Sequence, residues 1–408
     1  MLECAPVDTL SHPEVPVREA SSRLRALPPY VFLELQQRRD TARAAGHDVI
    51  DLTVGNPDAP LATGVREALV AALDAPGAHG YPPFRGTGRF REAVVDWYAR
   101  RFDVVLDPGR EVLPVLGSKE GLFHLMQATL DPGASVLVPT PCYPAYLGAA
   151  RLCEATPIEI ALRPERDFVL DLADVPRDAA RAASMLIVNT PHNPTGAVID
   201  PDTLRDVVAF AKDHDLLLVS DIPYSELVLD DGPAPPSLLS LPGARDVTVE
   251  LQSLSKSHSM AGWRVGFAVG NADALAALAK LKSNVDFGMF APIQAAAAAA
   301  LDASEDAVAL TRATYRERRD VVCDALESIG WPVRRPRAGM YVWTRLPESA
   351  GEDDDAFVRE LFERTHVLLS PGRGFGASGR GWVRLSLVGP VERLHEAVRR
   401  IGDSGLVG

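Results

Sequence analysis

The stretch that decides the fold reads Val247-Thr-Val-Glu-Leu-Gln-Ser253-Leu-Ser255-Lys256-Ser-His-Ser-Met-Ala-Gly-Trp-Arg264. Its opening, Val247–Leu251, is a short, largely apolar run rich in β-branched residues, which predicts a buried strand. The strand runs into a turn rich in hydroxyls, where a lysine and an arginine stand eight residues apart. Such a turn offers an amine for a Schiff base, hydroxyls for phosphate oxygens and a guanidinium to neutralise a dianion. Those are the needs of an aldehyde that carries a phosphate. By itself, a lysine in a serine-rich loop is more often a solvated side chain, so the neighbouring segments have to decide.

Upstream, short apolar runs predict further strands at Val112–Leu116, Ser135–Pro139, Met185–Asn189 and Leu216–Ser220, with another downstream at Val265–Val269. Lys119–Leu130 and Asp202–Asp213 carry apolar residues at helical spacing, and Asp131-Pro132-Gly133 stops the first of these helices. Strands that alternate with helices predict an α/β domain with a mostly parallel sheet, because each parallel strand has to be returned by a crossover. Ligands of such sheets bind at the carboxyl ends of the strands.

Those ends carry chemistry. In Ser220-Asp221-Ile-Pro-Tyr224 a carboxylate follows a strand, where it can pair with a ring nitrogen and keep it protonated; a protonated ring is the electron sink that stabilises a carbanion at a substrate Cα. The same Asp also fits a plain turn. Asn189-Thr-Pro-His-Asn193-Pro-Thr-Gly196 follows another strand, and Asn193 with Tyr224 would serve a phenolic oxygen on the ring. Its Asn-Pro and Thr-Gly pairs are equally ordinary turn formers. In Leu116-Gly117-Ser118-Lys119-Glu120-Gly121 a Gly-Ser turn opens a helix whose unpaired N–H groups can cradle a phosphate. Tyr143 is placed to stack on a planar ring or to pack in the core. Arg384, in Trp382-Val-Arg384-Leu-Ser, lies in an otherwise apolar strand and needs an anion, either a substrate carboxylate or an internal partner.

The 408 residues exceed what one core usually supports, so two domains are expected. We expect an arm over 1–50, a large cofactor-binding domain over 51–290 and a smaller α+β domain over 291–408. The acidic run Glu352–Asp355 opens a helix of that smaller domain. A net charge of -13 without a Lys/Arg run argues against nucleic acid as a partner. Met1–Glu19 lacks the basic and apolar regions of a signal peptide, and the Ala-rich stretch Ala295–Leu301 is too short to span a membrane. With only Cys4, Cys142, Cys153 and Cys323, and no C-x-x-C pair, a reducing cytoplasm is expected.

In combination, Asn193-Pro-Thr-Gly196, Asp221-x-x-Tyr224, Ser253-x-Ser-Lys256 with Arg264, and Arg384 resemble the class I/II aminotransferases, pyridoxal 5'-phosphate (PLP) enzymes of fold type I. The resemblance runs from about Leu27 to Ile401. It implies that Lys256 is the Schiff-base lysine and general base, Asp221 the partner of the pyridine nitrogen, and Tyr224 and Asn193 the ligands of the phenolic oxygen. It further implies phosphate contacts from Ser118, the Lys119 backbone, Ser253, Ser255 and Arg264, ring stacking by Tyr143, and carboxylate binding by Arg384. Gly55 would line the substrate site. Tyr81 would reach a partner subunit's phosphate, which makes a homodimer with composite sites. The substrates would be an amino acid and a 2-oxo acid. Leu27-Pro-Pro-Tyr30 and Gly117-Ser-Lys-Glu-Gly121 are most similar to the alanine and LL-diaminopimelate aminotransferase branch. The same cradle would also permit elimination, decarboxylation, oxidation or carbon–carbon bond formation.

Two residues depart from the pattern. Arg373, in a Gly-rich turn between Val367–Leu369 and the strand of Arg384, could offer a second anion site in the same pocket, or be a solvent-facing arginine. Met340 stands where a Thr or Ala is more usual. Gly374-Phe-Gly-Ala-Ser-Gly379 matches a dinucleotide fingerprint in spacing but leads into a strand, not a helix. The nine His residues show no metal-ligand spacing, so no metal is expected. No G-x-S-x-G elbow is present.

Overall fold

The structure is a computed structural model that describes residues 20–232, 234–303 and 305–407. Most of the Pro-rich N-terminal segment, Cys4 included, lies outside the described residues.

Seven strands form the central sheet: β1 (Val112–Val115), β2 (Ser135–Thr140), β3 (Thr156–Ala161), β4 (Ala183–Asn189), β5 (Leu217–Asp221), β6 (Thr248–Ser253) and β7 (Gly266–Gly270). Their spatial order is β1-β7-β6-β5-β4-β2-β3. Only β7 runs antiparallel to its neighbours, β1 and β6, so the carboxyl ends of β1, β2, β4, β5 and β6 share one edge. The central strands are apolar and buried because helices cover both faces. One such helix, α1 (Ser118–Thr129), starts directly after β1, and α2 (Ala145–Leu152) follows β2.

The predicted strands form with shifts of one or two residues, and β5 runs on to include Asp221. Strand β3 is not predicted by the sequence pattern. It is half-exposed, contains Pro157 and lies at the sheet's edge, where the missing N–H of a proline breaks no ladder bond.

The second layer is built on β8 (Tyr341–Arg345) and β9 (Trp382–Ser386), which pair antiparallel, with the long helix Glu305–Ser328 and the helix Val391–Asp403 packed on them. Chain from the N-terminal side joins this core. Leu35, Val49, Ile50 and Leu52 belong to its buried cluster, and Ile50–Asp51 pairs in parallel with Val367–Leu368. A cluster of Phe90, Trp97, Tyr98, Phe267 and the Ala-rich helix Ala291–Asp302 fills the space on the far side of β1 and β7.

Two expectations change at this stage. The acidic run does open a helix, α3 (Asp354–Thr365), capped by Asp353. Asp354 itself, however, is buried and accepts hydrogen bonds from the backbone N–H groups of Arg373 and Gly381, so it braces a turn besides favouring the helix end. Met340 does not reach the sheet's ligand edge; its side chain is buried in the core of the smaller layer, where it touches no cleft.

Candidate active site

The five strand ends and the smaller layer border a single cleft. Its lining includes Ser118, Lys119, Tyr143, Asn193, Asp221, Tyr224, Ser253, Ser255, Lys256 and Arg264.

Lys256 comes from the turn after β6. Ser253 caps this turn by accepting from the Ser255 N–H at 3.2 Å, and the two serine hydroxyls lie 2.8 Å apart. The Lys256 ammonium is held by one donor contact, to the Gly55 carbonyl at 2.6 Å. Burial lowers its pKa; Tyr341 opposes the shift, while Arg384 and Arg264 add to it. An amine that is more easily neutral is a better nucleophile and base.

Arg264 crosses to the turn after β1, where it donates to the Leu116 carbonyl at 3.3 Å and to Ala261 O at 2.8 Å. A side chain at Gly117 would overlap this guanidinium, and Gly117 also takes a φ of +85°, so glycine is needed there on two counts. Arg264, the Ser253 and Ser255 hydroxyls, and the first N–H groups of α1 at Ser118 and Lys119 therefore line one end of the cleft. This is the donor set that a phosphate dianion requires. The Lys119 side chain is directed elsewhere, with its ammonium 5.1 Å from the Tyr30 ring.

Asp221 is buried. The Tyr146 hydroxyl donates to its Oδ2 at 2.6 Å, whereas its Oδ1 is buried without a partner. Burial pushes its pKa up to about 6, against the hydrogen bond from Tyr146 and the opposing influence of nearby Ser118. A half-satisfied buried carboxylate is costly unless a cation or donor meets it. A protonated pyridine nitrogen supplies that donor. Tyr143 packs edge-on against Tyr146, with centroids 5.7 Å apart, and borders the same space. The residues present fit PLP: anion donors, an orphaned carboxylate oxygen and an amine line one cleft.

Asn193 is fixed by its own N–H, which donates to Asn189 Oδ1 at 2.8 Å, and its Oδ1 accepts from Arg384 Nη1 at 2.9 Å. Arg384 also donates from Nη2 to the Thr53 carbonyl at 2.6 Å, and its Nε is buried without a partner. The guanidinium is ringed by Tyr341, Phe375 and Phe32, at 3.9, 4.6 and 5.3 Å from the ring centroids. Among the described residues no carboxylate pairs with it, so the internal salt bridge considered from sequence does not form.

Two residues stand apart from this group. Tyr81 is 83% exposed and stacks on Phe287, with centroids 4.6 Å apart, away from its own chain's cleft. For Arg373 the structure favours the solvent-facing alternative. It pairs with Asp355 at 2.5 Å, is half exposed and borders a separate groove with Tyr30, Arg151 and Glu159, so the second-anion reading in the Arg384 pocket fails. The braced turn at Asp354 aims its side chain outward.

Sequence reasoning missed Tyr146, Asn189 and Tyr341. Tyr146 follows Tyr143 by one helical turn of α2, a spacing that could have flagged it. Tyr341 carries no such mark, because its approach to Gly55 joins two distant segments. Among the histidines, His192 is buried against Thr195 and burial takes its pKa down to about 3. His258 is also buried, with a pKa lowered to about 4. His124 meets Glu120, where the Lys282 ammonium supplies a cation between Glu120 and Asp286.

The sequence profile of "Aminotransferase class I and II" matches residues 47–401. The chain is similar to an LL-diaminopimelate aminotransferase of Desulforudis audaxviator, 45% identical over 93% of this chain and 96% of that protein. Among solved structures it is similar to a probable N-succinyldiaminopimelate aminotransferase from Thermus thermophilus, with 41% identity, a TM-score of 0.86 and coverage of 92% and 100%. It is likewise similar to substrate-bound BacF of a Bacillus, with 35% identity, a TM-score of 0.93 and coverage of 96% and 99%.

Proposed function

The chain belongs to the class I and II aminotransferases, and from this premise we propose that it moves an amino group between LL-diaminopimelate, or a closely similar diamino dicarboxylate, and a 2-oxo acid. It is a PLP-dependent aminotransferase; the choice of substrate and the roles of single residues are our reading. One observation carries that reading: the Lys256 amine and the orphaned Asp221 Oδ1 border a single cleft, and Arg384, with its orphaned Nε, is held directly behind that cleft by Asn193 and the Tyr341 ring. The relatives named for LL-diaminopimelate, 40–45% identical over more than nine-tenths of this chain, support the substrate. They lend nothing to elimination, decarboxylation, oxidation or carbon–carbon bond formation.

Bound PLP supplies an electron sink that stabilises negative charge at the substrate Cα. In our reading Arg384 takes the substrate's α-carboxylate, using the donors that Asn193 and Thr53 leave free, and thereby fixes which Cα bond faces Lys256. Lys256, its ammonium destabilised by burial, would remove the Cα proton and deliver it to the cofactor's aldehyde-derived carbon, so that the nitrogen stays with the cofactor and the substrate leaves as a 2-oxo acid. Asp221, steadied by Tyr146, holds the ring nitrogen in its protonated form. Tyr224 and Asn193 serve the phenolic oxygen, and Gly55 positions Lys256 through its carbonyl. Ser118, Lys119, Ser253, Ser255 and Arg264 take the phosphate, and Tyr143 flanks the ring.

Three further readings belong to the proposal. Residues 51–290 act as the cofactor domain and 291–408 as the smaller domain, with the described part of the arm, 20–50, joined to the latter. The exposed rings of Tyr81, Phe84 and Phe287 support a homodimer in which Tyr81 serves the partner's phosphate. We place the enzyme in the cytoplasm; no helix among the described residues is long and apolar enough to cross a membrane.

The test is a half-reaction screen. LL-diaminopimelate, glutamate, aspartate, alanine and an aromatic amino acid are each mixed with the PLP-loaded enzyme, and conversion to the pyridoxamine form is followed by absorbance. Fastest conversion by LL-diaminopimelate supports the reading; a clear preference for alanine or an aromatic amino acid overturns it.

A further inference from the structure

Tyr341 stands at a junction that the reaction scheme above does not use. On the paired strands β8 and β9, Tyr341 is opposite Ser386 and Trp343 is opposite Arg384. Tyr341 and Arg384 are thus diagonal neighbours on one face of the ladder, within reach of each other's side chains. The Arg384 guanidinium lies 3.9 Å from the Tyr341 ring centroid, nearer than either other aromatic ring that flanks it. The far end of the same ring reaches the opposite wall. Its hydroxyl accepts from the Tyr224 hydroxyl at 3.4 Å and from the Gly55 backbone N–H, a direction that can reverse once Tyr224 has another acceptor, and any side chain at Gly55 would overlap the phenol. Residue 55 is therefore glycine because Tyr341 needs the space, and the Gly55 carbonyl in turn holds Lys256.

We infer that Tyr341 is a positioning residue with two separable roles: its ring holds the carboxylate-binding guanidinium of Arg384 flat, and its hydroxyl strengthens Tyr224 as a donor toward the cofactor's phenolic oxygen. The inference rests on the assignment of Tyr224 and Arg384 made above. The first role follows from cation–π attraction in a water-poor site, which orients the planar guanidinium and leaves its edge for a carboxylate. The second follows from hydrogen-bond polarisation: once Tyr224 gives its proton to the phenolic oxygen, its own oxygen can accept from Tyr341, and a donor that accepts a bond becomes a stronger donor.

The groups that face the Tyr341 hydroxyl are Arg384 from β9, Lys256 after β6, Tyr224 after β5, Tyr143 after β2, Tyr30 from the arm, and Tyr315 from the helix Glu305–Ser328. Burial alone would raise the pKa of Tyr341, but the Arg384 and Lys256 cations and the hydrogen bonds it accepts from the Tyr224 hydroxyl and the Gly55 N–H bring it below the ordinary phenol value.

The test uses PLP-loaded enzyme and two readouts other than turnover. One is the midpoint of the spectrophotometric pH titration of the cofactor bound to Lys256. The other is the Kd for propionate, a carboxylate with no amine to react. A hydrogen bond to the phenolic oxygen draws charge from it and lowers the proton affinity of the linked nitrogen, so weakening that bond raises the midpoint. Tyr224→Phe should raise the midpoint by about one unit or more, and Tyr341→Phe by about half a unit, with its propionate Kd kept within about twofold. The double variant should rise no further than Tyr224→Phe alone, since the Tyr341 hydroxyl acts through Tyr224. Tyr341→Leu, which lacks the ring, should weaken propionate about tenfold. An unmoved midpoint in Tyr224→Phe removes the site assignment itself. A moved midpoint there, with none in Tyr341→Phe or with additive shifts in the double variant, overturns the hydroxyl role. Wild-type propionate affinity in Tyr341→Leu overturns the ring role.

Discussion

The Tyr146 hydroxyl donates to Asp221 Oδ2 across 2.6 Å, and the second oxygen of that carboxylate has no hydrogen-bond partner among the described residues. One buried oxygen is satisfied by a residue of α2, and the other is the one our reading gives to the ring nitrogen. The acid is thereby aimed before the cofactor arrives, but it is unstable as an anion until then.

This arrangement gives a pH dependence. Burial raises the Asp221 carboxyl from 3.8 to about 6 in the cofactor-free protein. Below about pH 4 folded and unfolded states both hold the proton. Between about pH 4 and 6 only the unfolded state releases it, so stability falls as pH rises and the loss is complete above the folded pKa, on the order of 3 kcal/mol. Asp221→Asn has no such component. The difference in unfolding free energy between wild type and Asp221→Asn, both without cofactor, should decline by about that amount from pH 4 to 7; a flat difference contradicts the burial argument.

Lys256→Ala should abolish turnover and leave the fold intact, because Arg264, Asp221 and the Gly117 turn hold the cofactor without a covalent link. Cofactor retained through dialysis, together with no multiple-turnover activity, is the expected pair of results. Sustained transamination by the variant would take Lys256 out of its role.

Gly55→Ala places a methyl group where the Tyr341 phenol lies. We expect kcat/KM to fall at least about tenfold, as expected when overpacking displaces both Tyr341 and the backbone that holds Lys256. Removing the Tyr341 hydroxyl relieves part of the clash, so Gly55→Ala with Tyr341→Phe should recover some of the loss. Strictly additive losses would show that the two residues do not compete for space.

Arg373→Ala should alter kcat/KM for glutamate and for alanine equally, by less than about threefold. Its guanidinium is half exposed and paired with Asp355, and exposed pairs contribute little. A roughly tenfold loss confined to the diacid would return Arg373 to the substrate pocket.

Mixing Lys256→Ala chains with Tyr81→Ala chains should restore part of the activity once subunits exchange. Each mixed dimer then holds one site with Lys256 and Arg384 from the Tyr81→Ala chain and an intact Tyr81 from the Lys256→Ala chain. If exchange is demonstrated by labelled subunits and no activity returns, Tyr81 does not act across the interface.

Much of this molecule is written in local sequence. Six of the seven sheet strands, the helix after Gly117 and the turns that carry Lys256, Asp221 and Asn193 follow from apolar runs and turn formers, because hydrophobic periodicity and glycine or proline chemistry act over a few residues. The grouping of those turns at one edge follows from parallel-strand topology. Strand β3 escaped because a half-exposed edge strand with a proline lacks that pattern. What no local pattern holds is which separate segments meet. Tyr146 finds Asp221, Tyr341 finds Gly55, and Asp354 turns Arg373 toward solvent only once the layers have packed. The sequence alone determined the cofactor chemistry, since each of its groups sits at a strand end. The tertiary structure alone decided which arginine is left with a buried, unpartnered donor beside Asn193, because side-chain partners across 100 or more residues are chosen by packing and desolvation rather than by spacing.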